Sequence, residues 1–550
     1  MAAARRWVIV AVAVLSAAAL AFLWLSEIPL GISGEWTWQR IPFDPGGGEL
    51  LLALAEMAIV GAVLLLIFWG GLQRIAICSR RELTAWLAGL TAAGFVWLSA
   101  AQSVPPSPWD SGKIPFVVYY PGISGYFHKA RYEIDETSRF LKDYEALMSE
   151  GDVLHVGTHP PGLFLLYRGL WRLMDASPSL CELAEATMPE SVQESFTTIE
   201  ANLRTRGRSF SSVDKATIWM AAAITQLACA ATVLPLFVLT RLAAPRDAAW
   251  RAVVFWPLLP ALTIFLPKSD VLFTFPAASL LACWLLAVRK QSVVLGALSG
   301  AIGWGCLLLS LAFLPIGLMA VLCSLAAVQV SAAGEGGDTA VPSPWCISRP
   351  RCLSGLTWQA LLRPVIGGLA AFVALTVGLA VLADVNLGRV WLLNYQNHAG
   401  FYAQFERTWW KWLLVNPVEL AFACGLPVAV LAVVSVWRSV AGGKGLALRW
   451  QSLSVVVVWG LLWLSGKNSG EAARLWIPLL PVLVWQLAVG FECSPTSTER
   501  EISTSSEPAI SLRNPTDRNW LILLVLQMAV CSLTALRVTG FHFNAGPPLL

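Results

Sequence analysis

Apolar residues in this chain gather into blocks about 20 residues long, the length of helix that crosses the hydrocarbon core of a bilayer. The unit of organisation is therefore the membrane span. Of 550 residues, 57% are hydrophobic and 13% charged, against about 25% charged in a soluble globular chain. A water-soluble enzyme is excluded. Lys+Arg number 38 and Asp+Glu 34, a formal net charge of +4 dispersed along the chain, which offers no basic face to a nucleic acid. Cys229, Cys283, Cys306, Cys323, Cys424 and Cys531 lie inside apolar blocks, with no CxxC pair and no Cys/His metal spacing. They read as small core hydrophobes, and no disulfide framework is implied.

Arg5 and Arg6 precede an apolar run from Trp7 to Leu25. It is long for a signal-peptide core, lacks a small-residue cleavage site before Glu27, and reads as an uncleaved first span. Further spans are expected near 50–70, 84–103, 216–240, 252–267, 271–288, 292–309, 311–330, 364–384, 412–436, 450–466, 474–490 and 519–538. That makes an all-α, polytopic transmembrane helix bundle of about thirteen spans, with an extracytoplasmic helical loop region. With the amino terminus in the cytoplasm, alternate short connections carry Arg74, Arg80 and Arg81; Arg241, Arg246 and Arg251; Arg289 and Lys290; Arg349, Arg351 and Arg363; and Arg438, Lys444 and Arg449. The opposite short connections hold only Arg40, Lys268, Lys467 and Arg474. This is the positive-inside pattern, and it predicts a multi-pass protein of the cytoplasmic membrane with its carboxyl terminus outside.

Five regions follow from the blocks: N-terminal transmembrane helices over 1–103, an extracytoplasmic loop with juxtamembrane helices over 104–215, a transmembrane core over 216–490, a linker over 491–518, and a last transmembrane helix with an outer tail over 519–550. The linker, with SPTSTEREISTSSEP, is Ser/Thr/Glu-rich and is expected to be flexible and cytoplasmic; AAGEGGDTAVPSP after 331 reads the same way. The outer segments Gln102–Lys215 and Ala383–Lys411 are too polar to span, yet rich in Trp, Tyr and His, so they are expected to fold against the membrane.

Four motifs could carry chemistry. In Gly157-Thr158-His159-Pro160-Pro161-Gly162 two prolines force an extended backbone and hold His159 rigidly at the outer surface, although Pro-Pro can equally be a plain helix start. In Pro267-Lys268-Ser269-Asp270 the carboxylate of Asp270 sits at a span mouth, where it is a site candidate or a helix cap. In Gly466-Lys467-Asn468-Ser469-Gly470-Glu471-Ala472-Ala473-Arg474, Glu471 and Arg474 share a helical face, and Lys467 with Arg474 could grip a phosphate or snorkel to headgroups. Around Asn394-Tyr395-Gln396-Asn397-His398 and Glu406-Arg407-Thr408-Trp409-Trp410-Lys411 an interfacial helix anchored by Trp explains the tryptophans, but Asn397 and His398 less well.

In order along the outer face these motifs resemble the GT-C class of membrane glycosyltransferases, the superfamily of protein O-mannosyltransferases and lipid A aminoarabinose transferases. The resemblance runs from about Gln102 to Pro481. It rests on Ser124-Gly125-Tyr126-Phe127-His128-Lys129-Ala130-Arg131 as the Gly-aromatic segment, on Thr158-His159-Pro160-Pro161-Gly162, on Asp270 as the later outer carboxylate, and on Arg474 within GEAARLWIPLLP. It implies a GT-C-like core over 216–490 and transfer of a sugar from a polyprenyl-phosphate donor, by an inverting displacement, to an unidentified outer acceptor. Asp270, Asp135 and His159 are then the catalytic candidates, Lys467 and Arg474 the donor-phosphate ligands, and Glu471, Asn397, His398, Tyr126 and His128 further site candidates.

The chain departs from the class at one position. The acid that precedes the Gly-aromatic segment would fall near Tyr119-Tyr120-Pro121-Gly122, where no carboxylate stands. Either Asp110 or Asp135 supplies the base from a shifted position, or activity is altered or lost. Two additional spans before the matched region also depart from the simplest members. No cofactor is required by these residues, and a divalent metal is allowed but not indicated. The rival readings are a polytopic transporter or flippase, whose site would lie at the midplane among intramembrane charges, and a pseudoenzyme that binds lipid-linked sugar without transferring it.

Overall fold

A computed structural model of the chain describes residues 2–42, 48–151, 155–205, 209–332, 358–441, 446–467, 469–492 and 515–541. Its elements are, in chain order, α1 (Ala2–Leu25), β1 (Gly31–Ile32), β2 (Trp36–Thr37), β3 (Gln39–Arg40), α2 (Gly48–Arg74), α3 (Arg80–Ser103), α4 (Lys113–Tyr119), α5 (Tyr126–Tyr132), α6 (Thr137–Lys142), α7 (Tyr144–Ser149), α8 (Gly162–Ala176), α9 (Pro178–Ala186), α10 (Glu190–Arg204), α11 (Ser212–Ala231), α12 (Val233–Arg241), α13 (Arg246–Val253) and α14 (Pro260–Ile264). There follow α15 (Ser269–Leu272), α16 (Thr274–Lys290), α17 (Val293–Leu309), α18 (Leu314–Ala332), α19 (Trp358–Ala383), α20 (Leu387–Gln404), α21 (Trp409–Cys424), α22 (Leu426–Ala441), α23 (Leu446–Ser465), α24 (Ala472–Leu475), α25 (Leu480–Glu492), α26 (Pro515–Arg537) and β4 (Val538–Thr539).

Among the described residues nine helices are long and apolar enough to cross a membrane, or ten when α21 and α22 count as one bent span. The stretches read as flexible linkers, most of 491–518 and most of the segment after 331, lie outside the described residues. Helix starts follow local chemistry. Ser79 opens α3 and Ser211 opens α11, each accepting from the backbone three residues on while Glu82 or Asp214 returns the bond, the reciprocal arrangement that satisfies two orphan N–H groups at a helix start.

Two apolar blocks differ from the straight spans that hydropathy suggests. The 252–267 block is divided into the end of α13, a 3-10 turn at Trp256–Leu258 and α14, because Pro257 and Pro260 lack the amide hydrogens a continuous helix needs. The block is buried throughout, so its backbone is shielded by protein instead of lipid. The 412–436 block is broken between α21 and α22, which meet at 111°. Gly425 makes the corner at φ +78°, a conformation glycine adopts without the steric cost of a Cβ. Gln527 of α26 repairs the ladder there, its amide nitrogen donating to Cys424 O (2.9 Å) and Leu258 O (2.8 Å) while its oxygen accepts from Val428 N (3.3 Å).

Sheet is confined to two short antiparallel pairs among the described residues. β1 pairs with β2, and β3 pairs with β4 in the register Gln39↔Thr539 and Arg40↔Val538. Arg537 reinforces the second pair by donating to Ile41 O at 2.7 Å. Between α3 and α11 seven short helices, α4 to α10, pack into a cap on the bundle. Asp214 anchors this cap: it is wholly buried and binds Arg131 of α5 (2.6 Å), Trp171 of α8 (2.9 Å) and the Ser211 amide (2.9 Å).

Candidate functional site

The polar centre forms where the turn into α15 meets the segment before α25. α15 has no side-chain cap, so Asp270 is not capping its own helix; the carboxylate points to Arg474 instead, with Oδ2 3.6 Å from Nε. Arg474 is held from the other side by Glu471, Nη2 to Oε2 at 2.7 Å, the i,i+3 pair expected from the sequence. Asp270 and Arg474 side chains are 14% and 20% exposed. At 3.6 Å the first contact is an ion pair but not a hydrogen bond, and the buried Nε of Arg474 has no hydrogen-bond partner among the described residues. Although burial opposes its charge, the carboxylates of Glu471 and Asp270 raise the guanidinium above its ordinary value.

Lys268 completes the centre. Its side chain is buried and its ammonium donates to the carbonyl of Ile123, in the turn between α4 and α5. Burial, and then the neighbouring charge of Arg474, pull its pKa down to about 7, against the opposite pull of Asp270 and Glu471. The same turn brings in the aromatic wall. Gly125, at φ +63°, lies so close to the His155 ring that a Cβ there would collide with it, and His155 Nε2 meets the Pro121 carbonyl. The Tyr126 ring then sits between His155 and His159, with centroids 5.6 and 5.5 Å away.

His159 is locked by its backbone. Its carbonyl accepts from the Tyr144 hydroxyl at 2.7 Å, and Asn394 of α20 donates to Thr158 O at 2.6 Å. Asn397 donates to Met148 O (2.8 Å) and Gly157 O (3.0 Å), so it acts as a brace for the His-Pro-Pro segment. Enclosure by protein atoms, followed by the charges of His155, His398 and Arg474, pushes the His159 pKa down to about 3; its imidazole is neutral at ordinary pH. His398 packs beside Phe401 and Tyr402, and burial lowers its pKa as well.

Asp270, Arg474, Glu471, Tyr126 and His159 are thus gathered in one neighbourhood, with Asn397 and His398 behind it. Four further candidates make other contacts. The Lys467 ammonium lies 4.8 Å from the Tyr395 ring centre and its charge reaches His398, while Lys268 is a second cation that feels the charge of Arg474. His128 pairs with Glu133 at 3.7 Å, beside the Tyr119 and Tyr132 rings. Asp135 is exposed, and its contact is a backbone one, its carbonyl accepting from Arg168 at 3.0 Å. Asp110 Oδ1 accepts from the Gly112 amide at 2.9 Å in its own turn. Lys268 escapes a reading of the sequence because a lone lysine at a span mouth looks like a snorkelling residue; its position two residues before Asp270 is the available signal.

A groove of about 340 Å³ runs between α8 and α11 beside this centre. Leu166, Leu170 and Leu173 of α8 and Ile224 of α11 line it together with Ser269 and Leu272 of α15, the element that carries Asp270. Leu166 and Leu173 are exposed, so the groove opens on the apolar exterior of the bundle. Among the described residues no group of three or more His, Cys, Asp or Glu is placed to hold a metal ion.

The long apolar helices make this a multi-pass membrane protein. No protein-family model and no curated protein sequence matches the chain.

Proposed function

We propose that the chain is a membrane glycosyltransferase of the GT-C type, moving a sugar from a polyprenyl-phosphate donor to an extracytoplasmic lipid, glycan or protein acceptor. The observation that carries the reading is the union of an ionic cluster with an apolar groove. Arg474 keeps an unspent Nε donor beside Asp270, and the groove lining includes Ser269, the residue before Asp270 in the chain. A polyprenyl tail needs an apolar, membrane-facing course, and its phosphate needs a cation where the tail leaves the hydrocarbon. Arg474 meets the charge that develops on the leaving phosphate, and Asp270 orients or activates the acceptor hydroxyl or amine. One attack without a covalent intermediate inverts the sugar carbon.

The same reading takes in the nine long helices, the bent α21–α22 pair, the two shorter apolar helices and the broken segment from Arg246 to Ile264 as about thirteen crossings. Contacts between connections support that threading. Thr408 binds Glu35, Asn386 binds Glu145 and Asn394 binds Thr158 on one side; Arg246 binds Cys78 and Arg251 binds Asp517 on the other. Positive-inside counting then turns the ionic cluster to the outer face of the cytoplasmic membrane.

A second reading, a protein that binds lipid-linked sugar without transferring it, is favoured by the absence of any Asp or Glu between Asp110 and Glu133. Purified protein given radiolabelled polyprenyl-phosphate sugars and membrane-extracted acceptors is expected to move label to the acceptor. Donor binding without transfer would assign the second reading, and loss of both would overturn the pair.

A further inference from the structure

The loop between α1 and α2 lies outside the stretch from Gln102 to Pro481 that carries the resemblance, yet it reaches the ionic centre through α21. Thr408, at the start of α21, makes no side-chain cap. Glu35, in the turn between β1 and β2, supplies one from outside the helix: Oε2 accepts from Thr408 N (2.8 Å) and Trp412 Nε1 (2.6 Å), and Oε1 from Thr408 Oγ1 (2.5 Å). We infer that Glu35 is a positioning residue for Arg474, holding through Trp412 the Gly470 backbone from which the Glu471–Arg474 pair extends. The geometry stands on these contacts, and its consequence for sugar transfer rests on the reading above.

Trp412 is the link. It is wholly buried, its indole N–H is spent on Glu35, and its ring lies against Gly470, where a Cβ would not fit beside Arg407 and Trp412. Gly470 takes φ +91°, a conformation that glycine adopts without the cost a side chain would add. The chain therefore enters Glu471 with no slack between ring and backbone. Glu471 holds Arg474 Nη2 at 2.7 Å, and Asp270 faces Nε at 3.6 Å. A shift at Gly470 is passed to Glu471, its neighbour in the chain, and so to the guanidinium.

Further contacts tie α21 to the same segment. Pro417 leaves Leu413 O without its helical donor; Trp463 Nε1 fills that place at 2.8 Å, while Trp409 Nε1 donates to Leu464 O at 3.1 Å. The loop adds a second strut. Trp38 Nε1 donates to Glu419 Oε1 at 3.2 Å, and Glu419 lies within reach of the Glu471 charge. A carboxylate suits the place Glu35 occupies, because negative charge is stabilised at a helix amino end. Although burial opposes its ionisation, the bonds from Thr408 and Trp412 hold the Glu35 carboxyl below its ordinary value.

The test uses the whole protein in detergent and hydroxyphenylglyoxal, an arginine reagent, with labelled peptides counted by mass spectrometry. Arg474 and Arg131 are both paired with carboxylates and are 20% and 27% exposed, so Arg131 reports any general loosening. Losing the charge-assisted bonds of Glu35 favours local opening, and in Glu35→Ala Arg474 is expected to label about tenfold faster or more, with Arg131 unchanged. In Glu35→Gln the amide oxygen still accepts from Thr408 N and Trp412 while its nitrogen donates to Thr408 Oγ1, so labelling should stay near the parent's. Trp412→Phe cuts the link from the other side and should also speed Arg474 alone, which decides the matter even if Glu35→Ala does not fold. An equal rise at both arginines, no rise at Arg474 in the folded variants, or Glu35→Gln labelling as fast as Glu35→Ala would overturn the positioning. Sugar transfer by folded Glu35→Ala is expected to fall as Arg474 is released. Faster Arg474 labelling where the parent transfers no sugar would keep the positioning and remove the transferase, and transfer by the parent with unchanged labelling would do the reverse.

Discussion

Asp214 and Asp270 each stand in the first turn of a helix, α11 and α15, and the two helices pack side by side. Asp214 is 0% exposed and saturated, with Arg131 at 2.6 Å, Trp171 at 2.9 Å and the Ser211 amide at 2.9 Å. Asp270 has no cap to make and keeps its arginine at 3.6 Å, with both side chains still partly open to solvent. A saturated carboxylate fixes three helices and has no capacity for a ligand. A loosely paired one leaves both partners incomplete, and completion can come from a substrate. The difference marks where this molecule is built to hold itself and where it is built to hold something else.

The comparison breaks most sharply in exchange experiments. Asp270→Asn or Arg474→Gln is expected to cut sugar transfer by about 10²–10⁴ while thermal unfolding changes little. Unchanged turnover in folded, membrane-inserted protein would put Asp270 in the same class as Asp214. Asp214→Asn should instead cost about 3–5 kcal/mol of stability by leaving Arg131 unpaired, read as earlier unfolding in detergent, and any transfer loss should follow the folded fraction. Trp171→Phe removes one donor to Asp214 and should cost about 1.5–3 kcal/mol, with transfer by the remaining folded protein intact.

Glu133 supplies the smallest effect and a surface reference. His128 at 3.7 Å, aided by Lys129 at 2.5 Å, brings its pKa down from 4.5 to about 2. A lowered folded value means the contribution is fully present above pH 4.5 and is lost as pH falls through about 2. Because the side chain is 46% exposed, solvent screening keeps the contribution below about 1 kcal/mol. Unfolding followed from pH 6 to 2 should show a slightly shallower decline in Glu133→Gln than in the parent; identical slopes would mean the pair contributes nothing.

The helical, membrane-spanning character was legible because span length and charge depletion are properties of composition. Continuity was not. Hydropathy treats 412–436 as one block, yet the corner at Gly425 depends on Gln527, about a hundred positions away, to satisfy what the break exposes. For the site, Glu471 and Arg474 were readable as neighbours because three residues on a helix share a face. Asp270 was readable as a candidate but not separable from a cap, since the same residue type at a helix start serves both. Lys467 and Lys268 are each a single lysine at a span mouth, and only packing shows that one turns to Tyr395 and the other inward to Ile123. Asp214 escaped notice altogether: its three partners come from α5, α8 and the turn before α11, a convergence no local pattern records.

The strand pair β3–β4 joins residues 39–40 to 538–539, and Arg537 reaches back to Leu23 and Ile41. During synthesis the first of these segments leaves the ribosome long before the second exists. The first apolar helix must therefore wait with the loop that follows it unlatched while the intervening helices are made. Closing a loop of such length costs only slowly more than closing a short one, so the delay lies in translation time more than in free energy. The latch can close only once β4 has been made, so the β3 edge lacks this partner throughout the intervening synthesis.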